Sequence, residues 1–219
     1  MEQQLNVWRR DARSGAARLL LVLCHGVAAN GQDLIGLAAP WAAALPDVAF
    51  IAPDAPEPCD MAPYGRQWFS LQDRTPSVLE AGARRTAPLL LGTVAAELAR
   101  LGLPPGAVAL MGFSQGAMMV LHAGLRRKVP PAAILAYSGA LLDSPALDLE
   151  MTGKPPVLLV HGETDEVVPF ACGPAAEAAL RRRSVPVTTA WRAGVGHWVD
   201  EGGLQAGRDF LAGLPRPTE

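Results

Sequence analysis

Residues 107–119, Ala-Val-Ala-Leu-Met-Gly-Phe-Ser-Gln-Gly-Ala-Met-Met, constrain the fold more than any other stretch. An apolar run of strand length meets Gly112-Phe113-Ser114-Gln115-Gly116, and an apolar, helix-forming run follows at once. This is the G-x-S-x-G nucleophile elbow in the context it requires, strand then sharp turn then helix. Such a turn holds its serine in a strained backbone conformation at the edge of the sheet. Gly112 and Gly116 fit because side chains there would clash where strand and helix pack together. The helix starting at Gln115 turns its positive end toward the serine, where an oxyanion would form. A bare G-x-S-x-G is common; the flanking strand and helix give it weight.

The rest of the chain supplies matching elements. Leu5 to Arg10 reads as a short edge strand. Leu19 to Cys24 is a continuous apolar run, as expected of a central strand covered on both faces. A polar loop follows, His25-Gly26-Val27-Ala28-Ala29-Asn30-Gly31, then a helix over Asp33 to Leu45 and a buried strand over Val48 to Ala52. Pro53, Pro56, Pro58, Pro63 and Pro76 break residues 53–76, a stretch long enough to be functional. Ser77 to Arg100 reads as a long helix, with Ser77 and Glu80 at capping-box spacing and Gly102 after its end. Further strands are predicted at Ala132–Tyr137, Val157–Gly162 and Val187–Arg192, with helices at Phe170–Arg183 and Glu201–Leu211. Alternating strands and helices imply a mostly parallel sheet with helices on both faces. At 219 residues, half of them hydrophobic, the chain is expected to form a single α/β domain over 1–219.

A serine hydroxyl needs an adjacent base, itself oriented by an acid, in the chain order Ser, Asp/Glu, His. After the strand ending at Gly162 come three acids in one loop, Glu163, Asp165 and Glu166, of which Asp165 is favoured. After the last strand comes Gly196-His197. The chain has four histidines. His122 lies within an apolar helix and reads as a packed residue, while His25 and His161 each precede a glycine at a strand end and are expected to fix loop geometry. His197 alone follows the acid at the right place. The candidates are therefore Ser114, Asp165 and His197, the last two in loops at the carboxyl ends of strands, where α/β sheets build sites.

Charge and cysteine usage exclude other classes. The net charge is −2, and the clusters Arg126-Arg127-Lys128 and Arg181-Arg182-Arg183 fall where helices should end, so no nucleic-acid footprint is expected. No apolar run approaches the ~20 residues of a membrane span, and the N-terminus lacks a signal-peptide core, so no stable membrane insertion is expected. Cys24, Cys59 and Cys172 are odd in number and lack C-x-x-C spacing, which points to reduced thiols in a cytoplasmic protein with no metal site.

Five stretches together carry a resemblance: Cys24-His25-Gly26-Val27, Gly65-Arg66-Gln67-Trp68-Phe69-Ser70, Gly112 to Gly116, His161-Gly162-Glu163-Thr164-Asp165-Glu166-Val167-Val168-Pro169, and Gly196-His197. From Leu19 to His197 the chain resembles the phospholipase/carboxylesterase family of serine hydrolases, which includes acyl-protein thioesterase-like enzymes and small bacterial esterases. The chain as a whole reads as a single-domain α/β-hydrolase fold with no metal or organic cofactor, and the resemblance implies the triad Ser114, Asp165 and His197. It also implies an oxyanion hole from the backbone N–H groups of Val27 and Gln115, the pair that elbow geometry itself calls for. The implied substrate is a small-molecule acyl ester, with thioesters or lysophospholipids as further options, and a homodimer is left open. Dienelactone-hydrolase-like or perhydrolase chemistry, or a non-catalytic binding module, are the alternatives. The sequence departs from many thioesterase-like members after His25-Gly26, where Val27-Ala28-Ala29-Asn30 replaces Leu-Gly-Asp, so substrate preference does not carry over. Ser138 to Pro156 is too short for a helical cap, so an open cleft is expected. One wall would come from residues 53–76, with Trp68 and Phe69 as acyl-binding surfaces; the competing reading is that Trp68 anchors the loop to the sheet.

Overall fold

The apolar runs become strands buried on both faces, and they alternate with helices along almost the whole chain. The computed structural model describes residues 5–214. Its first half runs β1 (Val7–Arg10), β2 (Leu19–Cys24), α1 (Gly31–Ile35), α2 (Ala38–Ala44), β3 (Val48–Pro53), β4 (Glu57–Pro58), β5 (Arg66–Gln67) and α3 (Pro76–Leu101). The second half runs β6 (Val108–Phe113), α4 (Gln115–Leu125), β7 (Ala133–Tyr137), α5 (Pro145–Glu150), β8 (Val157–Gly162), α6 (Cys172–Arg182), β9 (Val187–Arg192) and α7 (Glu201–Ala212).

One seven-stranded sheet has the order β1-β3-β2-β6-β7-β8-β9. Only the edge pair β1–β3 is antiparallel; the remaining neighbours are parallel. Side chains alternate across a strand, so each apolar run feeds two cores. Leu20, Val22 and Cys24 of β2 join Val108 and Leu110 of β6 under α3, α4 and α6. Leu21 and Leu23 join Ala109 and Met111 on the other face, against Trp41 of α2 and Leu211 near the end of α7. Every residue of α4 is buried, which matches its apolar sequence.

From β2 the chain moves to β3 on one side and later returns to β6 on the other. Such a reversal opens a crevice at the carboxyl ends of the two strands. The register Cys24↔Gly112 brings the loop after β2 and the elbow after β6 side by side there.

Several expected elements shift for identifiable reasons. The helix expected over Asp33–Leu45 is two helices, separated at Gly36 and Leu37, and the first starts at an Asn30/Asp33 capping box. The Ser77/Glu80 capping box does not form. Helix α3 begins one residue earlier with Pro76 in its first turn, and Thr75 caps it without a side-chain bond. Proline needs no N–H partner at that position and forces the preceding residue out of helical geometry. Glu80 is instead bonded to Ser144 and paired with Arg84 and Arg126. Gly102 ends the helix in the left-handed conformation, φ 67°. Helix α6 starts at Cys172, two residues later than expected.

Candidate active site

Ser114 occupies the turn between β6 and α4 with φ 56° and ψ −118°, a conformation that L-residues rarely adopt. The neighbours that hold it there are backbone. A Cβ built on Gly112 would lie 2.2 Å from Gly116 O, and one on Gly116 would lie 2.0 Å from Cys24 O. No side chain fits at either position, so strand, helix and β2 approach to backbone contact. The Ser114 N–H donates to Tyr137 O at 2.9 Å, which ties the turn to β7.

His197 follows β9, and Asp165 follows β8; the parallel β8–β9 register puts their loops side by side. Within those loops the Thr164 N–H donates to Val195 O at 3.0 Å. Arg192, the last residue of β9, bonds Asp200, which caps α7 through the Gly203 N–H, so both ends of the His197 loop are fixed. The result is a chain of polar contacts. His197 Nδ1 lies 2.7 Å from Asp165 Oδ2, and His197 Nε2 lies 3.0 Å from Ser114 Oγ. The carboxylate can only accept, so Nδ1 carries the proton and Nε2 is left to accept the serine hydroxyl.

Asp165 itself is buried, and its Oδ1 accepts the N–H groups of Val167 and Val168, each at 2.9 Å. Burial alone would raise its pKa. The His197 bond and the two backbone donors outweigh that, and the carboxyl stays below its ordinary range. Glu163 and Glu166, which share the loop, are exposed. His161 also approaches: its Nε2–H donates to Val168 O at 2.9 Å and lies 3.5 Å from Asp165 Oδ2. Burial pushes up the thiol pKa of Cys24 and of Cys172, so neither is poised as a thiolate that would compete with Ser114.

The loop after β2 passes directly beside the serine, since a Cβ on Gly26 would lie 3.2 Å from Ser114 Cβ. Ala28 in this loop has φ 63°, and its N–H donates to Arg66 O at 2.9 Å, while the Arg66 N–H returns to Ala29 O at 2.8 Å. The short β4–β5 hairpin is thereby stitched to the loop that carries Val27. Gln115, the first residue of α4, is likewise clamped: its side-chain oxygen accepts the Trp68 N–H at 2.9 Å and its amide nitrogen donates to Phe69 O at 2.6 Å. Sequence reasoning named Gln115 for its backbone and missed this side chain, which is fully buried. Glutamine in place of a smaller residue after the serine is the one signal that was available.

Trp68 and Phe69 are not acyl-binding surfaces. They are 0% and 1% exposed and belong to the core between α3 and the sheet. The Trp68 Nε1–H donates to His25 O at 2.9 Å, and Trp68 O accepts the Thr86 hydroxyl of α3 at 2.7 Å. An indole buried this way is an anchor, because its one N–H must find an acceptor and its ring leaves water entirely. The exposed apolar side chains near the site are instead Val167, beside Asp165, and Trp198, beside His197. Met61 and Tyr64 are exposed between β4 and β5. A cavity of about 630 Å³ lies at the far end of the sheet, lined by Leu19, Leu45, Val48 and Leu211, and it touches none of the three candidate residues. Among the described residues no His, Cys, Asp and Glu cluster is arranged to hold a metal ion, and no helix is long and apolar enough to cross a membrane.

The sequence profile described as Phospholipase/Carboxylesterase matches residues 11–214. The chain belongs to the phospholipase/carboxylesterase family. Among its relatives is esterase YpfH of Escherichia coli (strain K12), 31% identical over 195 residues that cover 89% of this chain and 82% of the relative. Acyl-protein thioesterase 1 of Neurospora crassa is 28% identical over 209 residues, 87% of this chain and 84% of the other. The crystal structure of esterase PE8 superposes with a TM-score of 0.92 at 38% identity, covering 97% of this chain and all of that one. This member of the phospholipase/carboxylesterase family is therefore a hydrolase of the carboxylesterase and thioesterase type, built on a single α/β domain.

Proposed function

We propose that the protein cleaves carboxylic esters through an acyl-enzyme on Ser114. The observation that carries this reading is the contact chain Ser114 Oγ to His197 Nε2 at 3.0 Å and His197 Nδ1 to Asp165 Oδ2 at 2.7 Å. His197 takes the hydroxyl proton as Ser114 attacks the acyl carbonyl, and Asp165 stabilises the imidazolium that forms. The oxyanion is held by the N–H groups of Val27 and Gln115, neither of which has a hydrogen-bond acceptor among the described residues. His197 then protonates the leaving alcohol, and water repeats the cycle on the acyl-enzyme. Val167 and Trp198, close in sequence to Asp165 and His197, are exposed apolar side chains, which favours a substrate with a hydrocarbon acyl group lying along an open rim. Thioesters meet the same chemical requirements. The three free cysteines support a reducing, cytoplasmic setting.

Ser114→Ala removes one small atom and should leave the fold intact. Hydrolysis of p-nitrophenyl acetate should fall by at least ~10⁴-fold. A fluorophosphonate probe should label the wild type and not the variant; labelling of another serine in the variant overturns the assignment.

A further inference from the structure

His25 stands outside the proposed triad, yet it is 0% exposed and both ring nitrogens are engaged. Its Nε2 accepts the Ala55 N–H at 2.9 Å, so that nitrogen carries no proton. Its Nδ1 lies 2.7 Å from Gly26 O, so it carries the ring proton and donates it. Burial, the largest influence on the ring, holds its pKa below the usual histidine range and keeps it neutral in this tautomer.

Gly26 O and the Val27 N–H belong to the same peptide unit. That unit is planar and trans, with oxygen and hydrogen on opposite sides. Whatever grips the oxygen therefore aims the hydrogen. The Gly26 position abuts Ser114, with 3.2 Å between a built Cβ and Ser114 Cβ. We propose that His25 is a positioning residue for the oxyanion hole: its Nδ1–H fixes the plane of the Gly26–Val27 peptide and aims the Val27 N–H at the oxygen that becomes negative. This rests on the reading of Val27 as an oxyanion donor.

Gly26 O has a second donor, the Ala29 N–H at 3.4 Å. That contact is longer and comes from the same turn, so it moves with the loop it would have to hold. His25 is anchored from outside the loop. Ala55 holds its far nitrogen, the Trp68 indole N–H holds its carbonyl at 2.9 Å, and the Trp68 ring lies 5.6 Å from its own. A donor on the carbonyl oxygen also polarises the peptide and strengthens its N–H toward an anion.

The test separates the two ring nitrogens. An asparagine amide can place a donor near the Nδ1 position, and a glutamine amide reaches the Nε2 position. In steady-state p-nitrophenyl acetate hydrolysis, His25→Gln and His25→Ala should lower kcat about 30- to 100-fold with KM within about twofold, because a misplaced oxyanion donor acts on the transition state. His25→Asn should recover most of that loss, and inhibition by a boronic acid should weaken in step with kcat/KM. Equal losses in His25→Asn and His25→Gln, wild-type kcat in all three variants, or failure of all three to fold would each overturn the proposal. Replacing residue 27 by the α-hydroxy analogue of valine removes its N–H directly. If that change costs about 100-fold while the His25 variants cost nothing, only the role of His25 fails. If it costs nothing, Val27 is not a donor and the proposal fails with that reading.

Discussion

The elbow and the 53–76 segment border the same crevice, and they are held by different physics. The elbow is local: an apolar strand, two glycines at backbone contact, and a helix buried on every side. The 53–76 segment has two-residue strands and little periodicity, and its geometry comes from distant partners. Arg66 bonds the carbonyls of Ala55 and Pro56, Gln115 grips Trp68 and Phe69, and Gly65 packs against Ala28 so closely that a Cβ would lie 2.1 Å from Ala28 O. The turn around Ser114 can be encoded in thirteen consecutive residues; the wall that fixes the Val27 loop beside it cannot.

Breaking the elbow should have the largest effect. At Gly116 an added Cβ meets Cys24 O at 2.0 Å and His25 O at 2.7 Å, both backbone atoms without rotamers to change. Gly116→Ala should cost more than ~3 kcal/mol and remove activity, beyond the usual range for overpacking. Gly92→Ala is the control, since nothing lies within 4 Å of a Cβ there on α3; it should add about 0.5–1 kcal/mol from helix propensity. Denaturant unfolding measures both. A folded, active Gly116→Ala protein would mean the backbone approach is looser than the structure has it.

The anchor of the second region comes next. Trp68→Ala empties a fully buried site and leaves His25 O without its indole donor. The expected loss is about 3–5 kcal/mol. Turnover should slow by the same factor for acetyl and longer acyl esters, since Trp68 is 0% exposed and offers no surface to an acyl chain. A chain-length-dependent loss with unchanged melting temperature would restore Trp68 to the pocket wall.

His122, on the elbow's helix, sharpens the comparison through pH. It is buried, its Nδ1 has no partner, and burial together with Arg126 and Arg84 lowers its pKa to about 4, against weaker pulls from Glu80 and Glu150. Its folded value lies below the unfolded one, so the unfolded chain binds the proton first. The stability it preserves is present above pH ~6.5 and is lost as pH falls toward 4, by about 2–3 kcal/mol. His122→Leu should flatten the stability curve in that window while kcat at pH 8 is unchanged. Parallel curves would show that the ring does not titrate in the folded protein as its burial requires.

Legibility followed the same divide. Strand positions were readable because buried parallel strands are uninterrupted apolar runs, and Leu19–Cys24 and Val157–Gly162 fall where the sequence put them. Ser114, Asp165 and His197 could be named because chain order and strand-end loops limited the choices, and the structure brings their side chains into contact. Trp68 and Phe69 were misplaced because aromatic residues in a proline-rich loop look alike whether they face a ligand or a core. The long-range bonds to His25, Gln115 and Thr86 separate the cases. The Glu80 cap failed for a related reason: spacing proposed it, but the nearby Arg84, Arg126 and Ser144 won the carboxylate.

The smallest expected effect concerns what replaces that aromatic wall. Trp198 directly follows His197, is 56% exposed, and packs over Gly196, whose built Cβ would lie 2.4 Å from the ring. The Phe113 ring also lies against this histidine, 4.8 Å from the ring of His197. An acyl chain leaving the acyl carbonyl held at Ser114 Oγ along this rim would cover part of the indole, and apolar cover is worth roughly 25 cal/mol per Å². A few tens of Å² then amount to about 1 kcal/mol, a factor of about five in rate. Trp198→Ala should therefore lower kcat/KM for butyrate and hexanoate esters about fivefold more than for acetate, with melting temperature nearly unchanged because the ring is mostly in water. Assaying Val167→Ala in parallel tells the two exposed apolar positions apart. If Trp198→Ala slows all chain lengths alike, the ring serves to hold the His197 loop, and the acyl chain runs toward the Met61–Tyr64 hairpin instead.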